Sequence, residues 1–199
     1  MEKKKLPKAL YRGKLPIGGF ELDCAVLDDG TRVLTQKAVF EAFNRPARGR
    51  RKQDPIFEGI QLPSFIGGNN LLHLVNKELM EVIQRIEYED NGREIFGYKA
   101  EVLPATCSLY LEARRKDILI ASQMKLAEIS EILLSSFAKV GIIALIDEAT
   151  GFQFDRKHDA LRILLQQYIA DGIQSWVKKF PDAFFTELDR LYQNEKTTS

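Results

Sequence analysis

The chain predicts an α+β fold, a small N-terminal hairpin-plus-helix module packed on an all-helical C-terminal bundle. Period-two alternation and two strong hairpin turns, Asp28-Asp29-Gly30 and Asn91-Gly92, fall within the first hundred residues. From Leu103 onward, apolar residues recur only at helical spacing. With 199 residues, 45% hydrophobic and 29% charged, the chain can bury a core in one domain or two small ones, as an ordinary soluble protein does. The division expected is a basic arm over 1–14, an α+β module over 15–100, a helical module over 101–193 and a polar tail over 194–199.

Residues 1–14 are basic and interrupted by proline, which predicts a loose arm. Phe20, Leu22, Cys24 and Val26 alternate with Glu21, Asp23 and Ala25, the signature of a half-buried strand. Arg32-Val33-Leu34 returns after the Asp-Asp-Gly turn. Thr35 can then cap a short helix carrying Val39, Phe40, Ala42 and Phe43, which ends by Asn44 to Pro46. Residues 54–70, with two prolines and Gly67-Gly68, predict irregular packing. Leu71 to Val75 is a short apolar run that fits helix or strand. Asn76 can cap a helix with Leu79, Met80, Val82, Ile83 and Ile86. Asn91-Gly92 closes a hairpin with arms Ile86–Asp90 and Glu94–Tyr98. A helix followed by a hairpin is similar to the winged arrangement of some DNA-binding folds, and it occurs in many unrelated folds too.

Pro104 suits the first turn of a helix with Cys107, Tyr110 and Leu111 on its apolar side and Arg114-Arg115-Lys116 at its C-terminal end. The next helix is the longest, running from about Gln123 with a stripe of Leu126, Ile129, Leu133, Phe137, Val140 and Ala144. From Val140 to Ile146 it is apolar all round, which predicts burial among other elements. One heptad beyond Val140 the stripe reaches Asp147, so a carboxylate falls on the core side and needs a basic side chain or several backbone donors. Glu148 follows at a helix end where the macrodipole disfavours it, and Thr150-Gly151 stops the helix. Asp155 is the expected N-cap of a helix with Leu161, Leu164, Leu165, Tyr168, Ile169, Ile173, Trp176 and Val177. Pro181 opens a last helix whose Phe184, Phe185, Leu188 and Leu191 predict a homodimer contact.

Charge is unevenly spread. Residues 1–54 carry 13 Lys+Arg against 7 Asp+Glu, a net of +6, and the remainder 16 against 21, a net of −5. Within the basic half, Arg45, Arg48, Arg50, Arg51 and Lys52 crowd into eight residues that Pro46 and Gly49 keep out of regular structure. Such a loop suits phosphate contacts and predicts a nucleic-acid-binding segment; the bland alternative is a linker with solvated charges. Cys24 and Cys107 share no metal-ligand spacing and sit in apolar surroundings, as two buried thiols. His73 reads as structural. Ile132 to Ile146, interrupted by Ser135, Ser136 and Lys139, is too short to span a bilayer, and no apolar signal core follows the charged N-terminus. A cytoplasmic protein without membrane association is expected.

Asp147, Glu148, Asp155, His158 and Asp159 invite a metal or acid–base reading, but their spacing matches no such site. The P-loop, the dinucleotide glycine fingerprint and the nucleophile elbow are absent from the sequence. A non-enzyme with no catalytic residue, metal or cofactor is therefore expected, with Asp147, Glu148, Thr150 and Gly151 as a structural polar motif.

The run Val140-Gly-Ile-Ile-Ala-Leu-Ile-Asp-Glu-Ala-Thr-Gly-Phe-Gln153 resembles the signature of a bacterial and phage family, the P-sixty-three-C domain proteins. So does Trp176-Val-Lys-Lys-Phe-Pro-Asp-Ala-Phe-Phe185, and Cys24 to Gln36 and Gly97 to Glu101 are similar to it as well. Members of that family usually continue past the Phe-Pro-Asp helix into a further basic segment. The family is associated with prophages and grouped loosely with antirepressor-like proteins, so the resemblance implies binding of DNA or of a phage or host regulatory protein. It assigns no role to any residue. The function expected is a phage-type, non-enzymatic DNA-binding or transcription-regulating protein. The alternatives are an antirepressor-like interaction module without DNA binding and a metal-dependent enzyme built around Asp147.

Overall fold

The computed structural model describes residues 5–17, 20–43, 45 and 56–177, the last three without their side chains. An antiparallel sheet and its helix come first, and helices follow, so the α+β class is as the sequence predicts. The strands are β1 (Ala9–Ile17), β2 (Phe20–Leu27), β3 (Arg32–Thr35), the short pair β4 (Ile56–Phe57) and β5 (Ile60–Gln61), then β6 (Ile86–Asp90) and β7 (Arg93–Lys99). The helices are α1 (Gln36–Ala42), α2 (Lys77–Val82), α3 (Val102–Arg115), α4 (Ala121–Thr150) and α5 (Ala160–Val177). β4 and β5 form a ribbon of their own, and the main sheet has the order β1-β2-β3-β7-β6.

The sheet curls until its ends meet. Lys8 bridges Glu89 in parallel, the Glu89 N–H donates to the Pro7 carbonyl at 2.8 Å, and Arg12 pairs with Asp90. Five strands that alternate in direction bring the first and last together parallel, so this closure needs no reversal of chain. Ala9, Ala25, Leu27, Val33 and Tyr88 fill one face of the curled sheet. The other face, with Ile17, Leu22, Leu34 and Tyr98, belongs to the main core with α1, α3, α4 and α5, so that core crosses the expected module boundary near residue 100.

β1 takes in residues 9–14 of the loose arm expected over residues 1–14, of which residues 1–4 lie outside the described residues. Leu10 to Lys14 are exposed along it, Gly13 included, and proline stands at position 16, which an edge strand tolerates because its outer N–H row needs no partner. Thr35 caps α1 through its hydroxyl, which accepts from the Ala38 N–H, and Asn76 caps α2 by accepting from Leu79. Ile86 begins β6 instead of extending α2. Of the segment expected to pack irregularly, Leu62, Phe65 and Ile66 lie at the centre of the core, while residues 56–61 stay at the surface. Phe65 is fully buried and meets the rings of Phe40, Phe43 and Tyr98 at 5.3, 5.8 and 5.5 Å, and the Tyr110 hydroxyl donates to its carbonyl at 2.8 Å.

α4 is anchored at its start by Gln123, which is 1% exposed. Its amide donates to the Gly67 carbonyl at 2.7 Å and accepts from Asn70 at 2.8 Å and from the Ile120 N–H at 3.1 Å. α5 returns along α4. Gly172 rides so close to Ile132 that an added Cβ would come within 2.7 Å of it, and Lys139 lies 5.0 Å from the Tyr168 ring centre.

Candidate functional site

The residues singled out by sequence fall in separate places. Of the basic run, Arg45 is described and Arg48, Arg50, Arg51 and Lys52 lie outside the described residues. Arg45 does not stand open to solvent as a phosphate contact would. It is half-buried, its N–H donates to the Phe40 carbonyl at 2.8 Å, and its guanidinium lies against the Tyr110 hydroxyl. Burial pushes that phenol up to about 12, against the pull of the Arg45 charge. Arg45 Nε is buried with no hydrogen-bond partner among the described residues.

Asp147, Glu148, Thr150 and Gly151 make the corner where α4 ends. Gly151 takes φ +78° as the C-cap, a left-handed conformation that glycine adopts without a Cβ penalty. The Thr150 hydroxyl donates back to the Ile146 carbonyl at 2.8 Å. Phe152–Phe154 form one 3-10 turn, and Arg156 then reaches back so that its Nη1 donates to Asp147 Oδ2 at 2.6 Å. Asp147 is 8% exposed, so the carboxylate on the apolar stripe has the basic partner it needs. Glu148 is exposed.

Asp155 does not cap α5, which starts at Ala160. It closes the 3-10 turn, because the chain spends Arg156 on the Asp147 pair before it turns helical again. Asp159 pairs with Arg162 at 3.2 Å and with the fully solvated His158 at 3.3 Å. Asp147 and Asp159 therefore pair with different arginines, and among the described residues no three His, Cys, Asp or Glu side chains gather as a metal site. Cys107 is buried, its thiol raised to about 12 by desolvation, while Cys24 is half-buried with a smaller upward shift of the same cause; both are free. His73 is exposed.

The apolar run from Val140 to Ile146 departs from expectation. It is not enclosed: Ile142, Leu145 and Ile146 are 55%, 63% and 54% exposed. Two stripes share α4. Leu126, Leu133, Phe137 and Val140 face the core. Ser135, Ala138, Ile142, Leu145 and Ala149, at alternating spacings of three and four, face outward. Phe152 and Phe154 in the turn after α4 and Ile163 of α5 are exposed as well. By length and composition alone α4 would pass for a membrane span, which the shorter window Ile132–Ile146 did not.

No family model, no curated protein and no solved structure matches this chain. Two of the motifs quoted from the sequence meet in space. Cys24 to Gln36 supplies β3 and Gly97 to Glu101 the end of β7, which pair as Val33 with Lys99, Leu34 with Tyr98 and Thr35 with Gly97. Gly97 is needed there, since a Cβ would stand 2.5 Å from the Leu34 carbonyl oxygen. Of the third motif, Phe184 and Phe185 lie outside the described residues, as do Leu188 and Leu191, so the dimer contact expected of them has no described counterpart.

Proposed function

We propose that this chain is a non-enzymatic regulatory protein of phage type that works through protein contact, with the outer face of α4 as its docking surface and a second copy as its occupant. The exposed stripe Ala138, Ile142, Leu145, Ala149 carries the reading. An apolar surface of this kind on a folded chain marks an interaction site, and its spacing is that of a helix seam. In an antiparallel two-fold crossing centred between Ile142 and Leu145, each Ile142 meets a Leu145 and each Ala138 an Ala149. The large pair thus sits between small ones that let the helices approach. The phage context comes from the resemblance of the motifs.

Light scattering on the full chain tests this. The wild type is expected at about twice 22.7 kDa, and an Ile142→Glu/Leu145→Glu variant at the monomer mass with an unchanged circular dichroism spectrum. A wild type that stays monomeric at high concentration removes the second copy as occupant. The second reading is DNA binding, supported by the five basic residues between 45 and 52 and the +6 balance of residues 1–54.

A further inference from the structure

The antiparallel register puts residues of β1, β2 and β3 in rows that share a face. Tyr11, Val26 and Arg32 form one row, and Gly13, Cys24 and Leu34 the next. Leu103 and Pro104 at the start of α3 and Phe137 of α4 lie opposite, and a cleft of about 600 Å³ opens between them. Its walls are almost wholly apolar. The space exists because Gly13 sends no side chain into it: a Cβ there would meet the Cys24 sulfur at an ordinary 3.7 Å.

The cleft grades from apolar to polar along the strands. The Gly13–Cys24–Leu34 row is its interior, and the Tyr11–Val26–Arg32 row ends in a phenol and a guanidinium. Tyr11 is 70% exposed. Arg32 Nη1 donates to the Gly30 carbonyl at 3.2 Å, and no ion pair holds Arg32 among the described residues. Two other charges line the cleft. Arg12 is neutralised by Asp90, and Glu101, at the foot of α3, stands across from the sheet. The free cation therefore lies on the sheet side and Glu101 on the helix side, so an anionic group would seat against the strands.

We infer that this cleft binds an amphipathic carboxylate, a fatty acid of medium chain length. Its chain lies over Gly13, Cys24 and Leu34, and its head sits between Tyr11 and Arg32. Sites that enclose a small amphipathic molecule usually have volumes of this order, and the space suits a chain of roughly ten to twelve carbons. Burial of each further methylene tightens binding about fourfold. The site is independent of the outer face of α4, so either can fail without the other.

Cys24 is the built-in reporter, because it lines the cleft while Cys107 is sealed in the core. The full chain would be alkylated with iodoacetamide in the presence of octanoate, decanoate, dodecanoate or dodecyltrimethylammonium, all below their micellar concentrations. Dodecanoate is expected to slow Cys24 alkylation at least fivefold, with affinity rising about fourfold per methylene across the carboxylates. The ammonium compound is expected to bind about tenfold more weakly than dodecanoate. Arg32→Gln is expected to erase that preference while keeping the chain-length series. Gly13→Val is expected to fill the cleft and abolish dodecanoate heat in calorimetry, with the melting temperature retained. Absence of protection, equal protection by both head groups in the wild type, or wild-type binding by Gly13→Val would overturn the inference. So would protection that rises with protein concentration when no ligand is present, which would make the cleft a contact between copies.

Discussion

Asp147 sits where the apolar periodicity of α4 would place a hydrocarbon, and Arg156 reaches it across the turn at 2.6 Å. Truncation leaves a largely buried guanidinium without its anion. Asp147→Ala is expected to cost about 3 kcal/mol, toward the lower end for a buried pair because both side chains keep some solvent access; an unchanged melting temperature would refute it. Gly97→Ala is a packing prediction. The Leu34 carbonyl 2.5 Å from the added Cβ belongs to the backbone of the neighbouring strand and cannot swing away, so β3 and β7 must part. A loss of about 1–3 kcal/mol is expected in denaturant unfolding. At high pH two groups act together. Cys107 and Tyr110 both titrate near 12 in the folded chain, above the ordinary thiol and phenol values of 9.0 and 10.0. Their raised values contribute stability that is whole below about pH 9 and lost as pH climbs toward 12. Melting temperature should therefore fall over that window, and Cys107→Ala should flatten the part of the slope nearest pH 9.

At the scale of elements, the start of α4 depends on a side chain that no periodicity marks. Gln123 and Asn70 exchange hydrogen bonds and also hold the Gly67 and Ile118 carbonyls and the Ile120 N–H. Gly68, at φ +137°, passes beneath them, where a Cβ would stand 2.3 Å from Asn70 Oδ1 and 2.6 Å from Gln123 Nε2. Gln123→Leu keeps the volume but orphans several buried polar groups, at an expected cost of about 3 kcal/mol. Amide exchange at Ile120 should quicken more than in the middle of α4, an outcome that a uniform loss of stability would not give. The caps of α1 and α2 were legible in the sequence because Thr35 and Asn76 act on backbone groups three residues away. The start of α5 was not, because Asp155 is followed by Arg156, whose pairing with Asp147 depends on a turn that has first to form.

For the whole molecule, the charge asymmetry makes a prediction that the outer face of α4 does not. If the basic segment contacts phosphates, affinity for labelled duplex should fall steeply with salt. Replacing Arg48, Arg50 and Arg51 together by Ala should weaken binding to every sequence and flatten that salt slope, without reordering the preferred sites. Arg45 is left out of the variant because it lies against Tyr110 and its loss would disturb the core. No binding by the wild type at low salt, or superimposable curves for the two proteins, would leave protein contact as the reading in front.

The order β2, β3, α1, α2, β6, β7, α3, α4, α5, the two hairpin turns, the caps of α1 and α2 and the end of α4 at Gly151 are all determined by the sequence itself, whereas the β4–β5 ribbon is not. Each depends on residues within a few positions of one another, where spacing and backbone preference act directly. Tertiary structure alone decided the rest. β1 forms where composition reads as a loose arm, because an edge strand needs only one hydrogen-bonded neighbour and its charges can stay in water. Residues 62–71 become the centre of the core because α1, β7 and α3 converge there from distant parts of the chain. The sequence also makes both faces of α4 apolar, but hydrophobicity carries no address. Which face the core takes, and which is left for a partner, depends on α3 and α5, which pack against it.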